Sequence, residues 1–232
     1  MRSLRNKVTG LKIVNQADSL TLEIYDILGQ DFFGEGITAK SISEALNGSK
    51  GPVNVRINSP GGDAFEGVAI YNVLRASGRP ISVSVDGLAA SAASVVAMAG
   101  DSIEMGTGSM MMIHPAMMLA IGDAAEMRKA AEVLDSVTNS LADIYTQRTK
   151  NEKQQVLDWM NAETWMNPQE AMDRGFSDKM SETKAAPTAQ FDLSIFKHAP
   201  EVRAEISEAD PTIELMRRRV SLLREGLVCT KN

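Results

Sequence analysis

Three short stretches carry residues that could together break an acyl bond. The first is Gly87-Leu88-Ala89-Ala90-Ser91-Ala92-Ala93-Ser94, which follows an alternating, strand-like run at 81–85 and opens a small-residue apolar run reaching Gly100. A serine at a strand-to-helix turn projects its hydroxyl from the end of a sheet, and the N–H of the next residue, Ala92, is left to face an oxyanion. Taken alone, the stretch reads more readily as a helix-packing patch in which serine is tolerated. Two further stretches change that balance: Ile57-Asn58-Ser59-Pro60-Gly61-Gly62-Asp63 upstream and Met112-Ile113-His114-Pro115 downstream. The two glycines sit between a strand-like run, 53–57, and a helical pattern (Phe65, Val68, Ala69, Tyr71, Asn72, Leu74), so an N–H can be presented with no Cβ in the way. Gly62 is the expected second oxyanion donor beside Ala92. His114 ends its own strand-like run and supplies the base that the weakly acidic hydroxyl of Ser91 needs.

The elements that must position these groups alternate along the chain. Residues 20–28 show period-two alternation and predict a strand, followed by a Gly-rich turn at 29–36 and a helix over 37–46 stopped by Asn47-Gly48. Strands at 53–57 and 81–85 with a helix at 65–76 between them, then the helix after Ser91, imply right-handed crossovers and a largely parallel α/β sheet. Ligands in such sheets gather at the carboxyl ends of the strands, where both the Gly61-Gly62 turn and Ser91 fall. Short strands follow at 102–105 and 110–113. Met110, Met111, Met112, Met117 and Met118 surround His114 and suit either an adaptable apolar groove or core filling. From Asp123 to Gln147 apolar residues recur every three or four positions, a helix of roughly 37 Å that is longer than one small core can cover, so part of it is expected to meet another subunit. A helix over 154–160, another stopped at Gly175 and a closing segment, 176–180, complete the domain.

Composition narrows the partners. A chain of 232 residues with 44% hydrophobic content can bury one full core plus an appendage. The net charge of −6 gives no broad basic footprint for nucleic acid or an anionic membrane, so protein or peptide is the expected partner. The single cysteine, Cys229, excludes an intramolecular disulfide framework and fits a reducing cytosol. The basic start, 1–8, is not followed by a signal-type apolar core, and the longest apolar run, 87–100, is shorter than the ~20 residues that span a bilayer. Neither a P-loop nor metal-spaced His/Cys residues occur, and no cofactor is expected. The segmentation read from the chain is an N-terminal segment, 1–18, a domain, 19–182, and a linker and tail, 183–232, with a short helix expected over 213–227 that carries Arg217-Arg218-Arg219.

The order INSPGG, GLAAS, MMIHP and then ETW, EA and RGFSD, over about residues 20–182, resembles the Clp-type serine peptidases, and in style the ATPase-free versions of phage head-assembly modules. The resemblance implies a ClpP/crotonase-like fold of repeated β-β-α units with a long handle helix through which stacked rings meet. It also implies a serine endopeptidase acting on protein chains, plausibly capsid or scaffold proteins. By position from RGFSD the family's catalytic Asp falls on Glu163, which is one methylene longer and keeps the carboxylate; Asp158 is the alternative. Two departures bear on partners. Where ATP-driven members carry aromatic docking residues, this chain has Asn54 and Arg56, which argues against a Clp ATPase, and the Arg that precedes the family's catalytic Asp is replaced by Ala162. The rival readings are a crotonase-type acyl-CoA enzyme, which would not need Ser91 and His114 together, an ATP-dependent proteolytic subunit, and a catalytically silent ring component.

Overall fold

The computed structural model describes residues 10–16, 18–30, 36–184 and 191–200. Along the chain run β1 (Leu11–Gln16), β2 (Ser19–Ile24), α1 (Ala39–Asn47), β3 (Val53–Ser59), α2 (Ala64–Ala76), β4 (Ile81–Ala90) and α3 (Ala92–Ala97). They are followed by β5 (Ser102–Thr107), β6 (Met110–Ile113), α4 (Ala124–Thr149), α5 (Lys153–Asn161), β7 (Thr164–Met166), α6 (Pro168–Asp173) and β8 (Lys179–Lys184).

The sheet runs β1-β2-β3-β4-β5-β8, with β6 attached to β4 and β7 to β6. Pairings from β2 through β8, and that of β4 with β6, are parallel; β1–β2 and β6–β7 are antiparallel. This is the mixed α/β fold with a largely parallel sheet that the alternation of elements predicts. β4 is the branch point: Ser82–Val85 pair with β5, whereas Leu88–Ala90 pair with β6. The expected strand therefore continues five residues past Val85, because its second half finds a different neighbour.

Period-two alternation sets the faces. In β3, Val53, Val55 and Ile57 are buried while Asn54 and Arg56 are exposed, and β2 buries Leu20, Leu22 and Ile24. Ile42 of α1, Ile70 and Leu74 of α2, and Val95 and Val96 of α3 join the same core. Each such side chain contributes about 1.5–3 kcal/mol relative to exposure. Helix starts are capped as the sequence dictates. Thr38 and Ser41 form a capping box on α1, Asp123 and Glu126 on α4, and Asn167 and Glu170 on α6, while Asp63 accepts from Glu66 N–H at the head of α2.

One strand lies in the expected N-terminal segment and another runs past the expected domain end. β1, within the expected N-terminal segment, pairs with β2 and is braced by Lys12 on Glu23 at 3.2 Å; Ile13 is left 46% exposed, so its alternation carries little apolar signal. β8 continues to Lys184 in the expected linker. It is a polar edge strand, with Lys179 paired to Glu104 at 2.8 Å, a composition that discourages further strand pairing and reads as loop.

The compact unit ends at His198. A second unit, 199–232, is described only at its first two residues, so the helix expected over 213–227, Arg217–Arg219 and Cys229 lie outside the described residues. Among the described residues no helix is long and apolar enough to cross a membrane.

Candidate active site

Ser91 occupies the single-residue turn between β4 and α3 at φ 53° and ψ −127°, a conformation that costs a non-glycine residue about 1–3 kcal/mol. Surrounding bonds hold it there. Ser91 N–H donates to Met112 O at 2.9 Å, and its carbonyl accepts from the N–H and hydroxyl of Ser94 at 2.9 and 2.6 Å. Ser94 is wholly buried and bonds the Tyr145 hydroxyl of α4 at 2.8 Å, so it anchors the turn instead of facing the cleft. Burial pushes the Tyr145 hydroxyl above the usual phenol range and keeps it neutral.

The Gly61-Gly62 turn lies against this elbow. A Cβ on Gly61 would stand 2.7 Å from both Ala90 O and Ser91 Cβ, so only glycine permits the approach. The turn is tied down by Leu28 N–H on Gly61 O (2.7 Å), Asp63 N–H on Leu28 O (3.0 Å) and Gly61 N–H on the Ser59 hydroxyl (3.2 Å). None of these bonds uses the N–H of Gly62, and Gly62 is an exposed residue. Ala92 N–H, the first of α3, has no acceptor within its own helix.

His114 follows β6 directly. Its Nε2 lies 2.8 Å from Ser91 Oγ and the residue is 7% exposed. Burial lowers its pKa, with partial opposition from the nearby Glu163 charge, so the ring is neutral and able to accept a proton at physiological pH. Register explains why Glu163 is near: in the antiparallel β6–β7 pair Ile113 opposes Thr164, and one further step sets His114 opposite Glu163. Yet no hydrogen bond joins the two. Glu163, at φ 48°, accepts at Oε1 from His198 N–H (2.6 Å) and the Trp165 indole N–H (3.3 Å), and at Oε2 from Lys197 N–H (2.9 Å). Burial raises its pKa, but these donors outweigh burial and hold the carboxyl below its usual range. Asp158 is exposed on α5, accepts from Gln154 Nε2 at 2.9 Å and is not among the residues that line the cleft.

Ser91, His114, Gly62 and Ala92 border a cavity of about 370 Å³ that Leu134 and Val137 of α4 also line. Of the methionines, Met117 and Met118 line it, Met111 and Met112 are core residues, and Met110 is half-buried. Phe196 and Ile195 also border the cavity, and sequence reasoning missed them; the signal was an apolar pair in a polar tail. Arg56, one of the two positions where docking aromatics were sought, is paired with Asp86 at 2.9 Å, and the Tyr25 hydroxyl also donates to Asp86.

A hydroxyl–imidazole pair at the carboxyl edge of a parallel sheet, beside a glycine turn with an open N–H, is the layout of a serine hydrolase. The sequence profile of the Clp protease family matches residues 33–184, and the chain belongs to that family. It is 31% identical over 130 residues to an ATP-dependent Clp protease proteolytic subunit of Deinococcus radiodurans, covering 55% of this chain and 64% of the relative. To the corresponding subunit 1 of Protochlamydia amoebophila it is 32% identical over 133 residues, covering 56% and 65%. The matched span thus covers under two thirds of these relatives. Among solved structures, a mutant ClpP1 from Listeria monocytogenes shares the fold at TM-score 0.60 and 20% identity, over 72% of this chain and 92% of that one.

Proposed function

We propose that this chain is a serine endopeptidase in which Ser91 is the nucleophile and His114 the general base. The observation that carries the reading is the 2.8 Å contact between Ser91 Oγ and His114 Nε2 at a strained, buttressed turn. As Oγ attacks the scissile carbonyl carbon, its proton passes to Nε2, and the carbonyl oxygen becomes an oxyanion facing the N–H groups of Gly62 and Ala92. Collapse breaks the C–N bond, and the imidazolium returns its proton to the leaving amine. A water then repeats the sequence on the acyl-serine, releasing the acid and restoring Ser91. Glu163, placed opposite His114 by strand register, is the group that would stabilise the imidazolium.

Protein chains are the substrate class supported by the family and by the apolar cleft. Two physiological settings are compatible with that chemistry: a Clp proteolytic subunit, as the curated relatives are named, and the processing of capsid or scaffold proteins, which rests on motif style alone. The largely exposed α4 supports a homo-oligomer, ring-shaped as the resemblance implies. The helix buries only Leu141, Ala142 and Tyr145, and Leu119 and Ile121 ahead of it are 90% and 91% exposed. Hydrolysis of casein or a fluorogenic peptide by the purified chain tests the reading. Turnover that survives Ser91→Ala undiminished would refute it.

A further inference from the structure

Residues 191–198 meet the site more intimately than a tail need do. Phe196 is 6% exposed, whereas its neighbour Ile195 is 66% exposed, so the segment directs one aromatic ring inward. That ring stands edge-on to His114 at 5.3 Å and to Trp165 at 5.8 Å, wedged between the base and the strand that carries its acid partner. A local turn fixes the presentation: Phe196 N–H donates to Leu193 O at 3.0 Å, and Ser194 N–H to Asp192 Oδ1 at 3.0 Å. The next two residues take both oxygens of Glu163 through their main-chain N–H groups. His198 Nδ1 also lies 3.2 Å from Ala162 O, at the same corner.

We propose that residues 191–198 are an autoinhibitory strap, in which Phe196 packs edge-on against His114 and narrows the cleft there, while the N–H groups of Lys197 and His198 keep the Glu163 carboxylate off the imidazole. The proposal rests on the preceding reading of Ser91 and His114. The strap blocks in two ways at once. Phe196 narrows the space a substrate side chain has beside His114, and the two main-chain donors hold the Glu163 oxygens turned from the imidazole. Both are undone by release of one short segment, because the ring and the two donors are consecutive in sequence. Tethering gives the strap an effective concentration in the millimolar range, enough to exclude short peptides yet to yield to a protein substrate that makes many contacts. The structure therefore describes the resting form of the site.

The test uses the full chain and two variants that attack different halves of the strap. Phe196→Ala removes the wedge, and His198→Pro removes the N–H donor to Oε1 without adding charge. Both variants should react with a fluorophosphonate at Ser91 and turn over a fluorogenic peptide about tenfold to hundredfold faster than the wild type, the scale set by burial of one aromatic ring. A synthetic peptide spanning residues 191–200, added at millimolar concentration to Phe196→Ala, should slow it again, and the same peptide with alanine in place of Phe196 should not. Equal rates in wild type and folded variants, or slower rates in the variants, would overturn the strap while leaving the Ser91–His114 reading in place. No labelling and no turnover in any of the three proteins would sink both.

Discussion

The two halves of the active site are held by different kinds of structure. Ser91 and His114 are fixed by the sheet itself: β4 and β6 pair in parallel, Ser91 N–H bonds Met112 O, and the hydroxyl–imidazole contact closes between the two strand ends. Glu163 is placed by the short antiparallel β7 but is oriented by a segment 34 residues further along the chain. The first half depends on strand pairing and core packing. The second depends on whichever donor reaches the carboxylate first. On the proposed reading the nucleophile and its base are brought together by the sheet, whereas the acid is a position the strap withholds.

The largest effect expected on the fixed half is from Ser91→Ala, which removes one oxygen from a turn whose backbone bonds all remain. Peptide turnover should fall by about 10⁴ to 10⁶ with thermal stability unchanged or raised, since alanine relieves no contact of the core. His114→Ala should do nearly as much, and the double variant little more, because the two act as one proton-transfer unit. A double variant that multiplied the two losses would show that they act separately.

Gly62→Ala should lower kcat by about 10² or more through the tilted oxyanion donor. The added Cβ would meet Leu28 O at 2.2 Å from a backbone at φ 141°, so the turn must shift. Urea unfolding separates the two consequences: a lower midpoint is expected along with the loss of kcat, and a variant with unchanged kcat would place the oxyanion site elsewhere. For the switchable half, Glu163→Gln should cost about 10² to 10⁴ in kcat when measured in the Phe196→Ala background, where the carboxylate is released. In the wild-type background the same change should cost much less, and Asp158→Asn should cost little in either. Equal penalties for Glu163→Gln in both backgrounds would erase the distinction between the halves.

The smallest expected effect is a shift in the pH profile. His114 must be neutral to accept the proton, and burial lowers its pKa, so the acid limb of kcat/KM should lie below the ordinary histidine value of about 6.5. Once the strap is released and Glu163 turns to the ring, the imidazolium gains a partner and the limb should move to higher pH. A limb that stays in place in Phe196→Ala would mean that Glu163 does not reach His114.

Legibility in the sequence followed how tightly chemistry restricts residue type. The Gly61-Gly62 turn, the elbow serine and the histidine after β6 were readable because positive φ, close backbone approach and proton transfer each admit few residues. The second half of β4 was not. Gly87, Ala89 and Ala90 have poor strand propensity, and only pairing with β6 makes them a strand. β8 was hidden because an edge strand is best served by the charged residues that also mark linkers. Glu163 was proposed through motif position, and the β6–β7 register brings it opposite His114. What no motif announced was its occupation by main-chain donors, because any residue type except proline supplies an N–H.

The most direct test of the central claim is to react the wild-type chain and Phe196→Ala with a fluorophosphonate and to locate the adduct by peptide mass spectrometry. The account predicts a single adduct on Ser91 in both proteins, formed faster in the variant and absent once His114 is replaced by alanine. An adduct on another serine, or none on Ser91 in either protein, would contradict it.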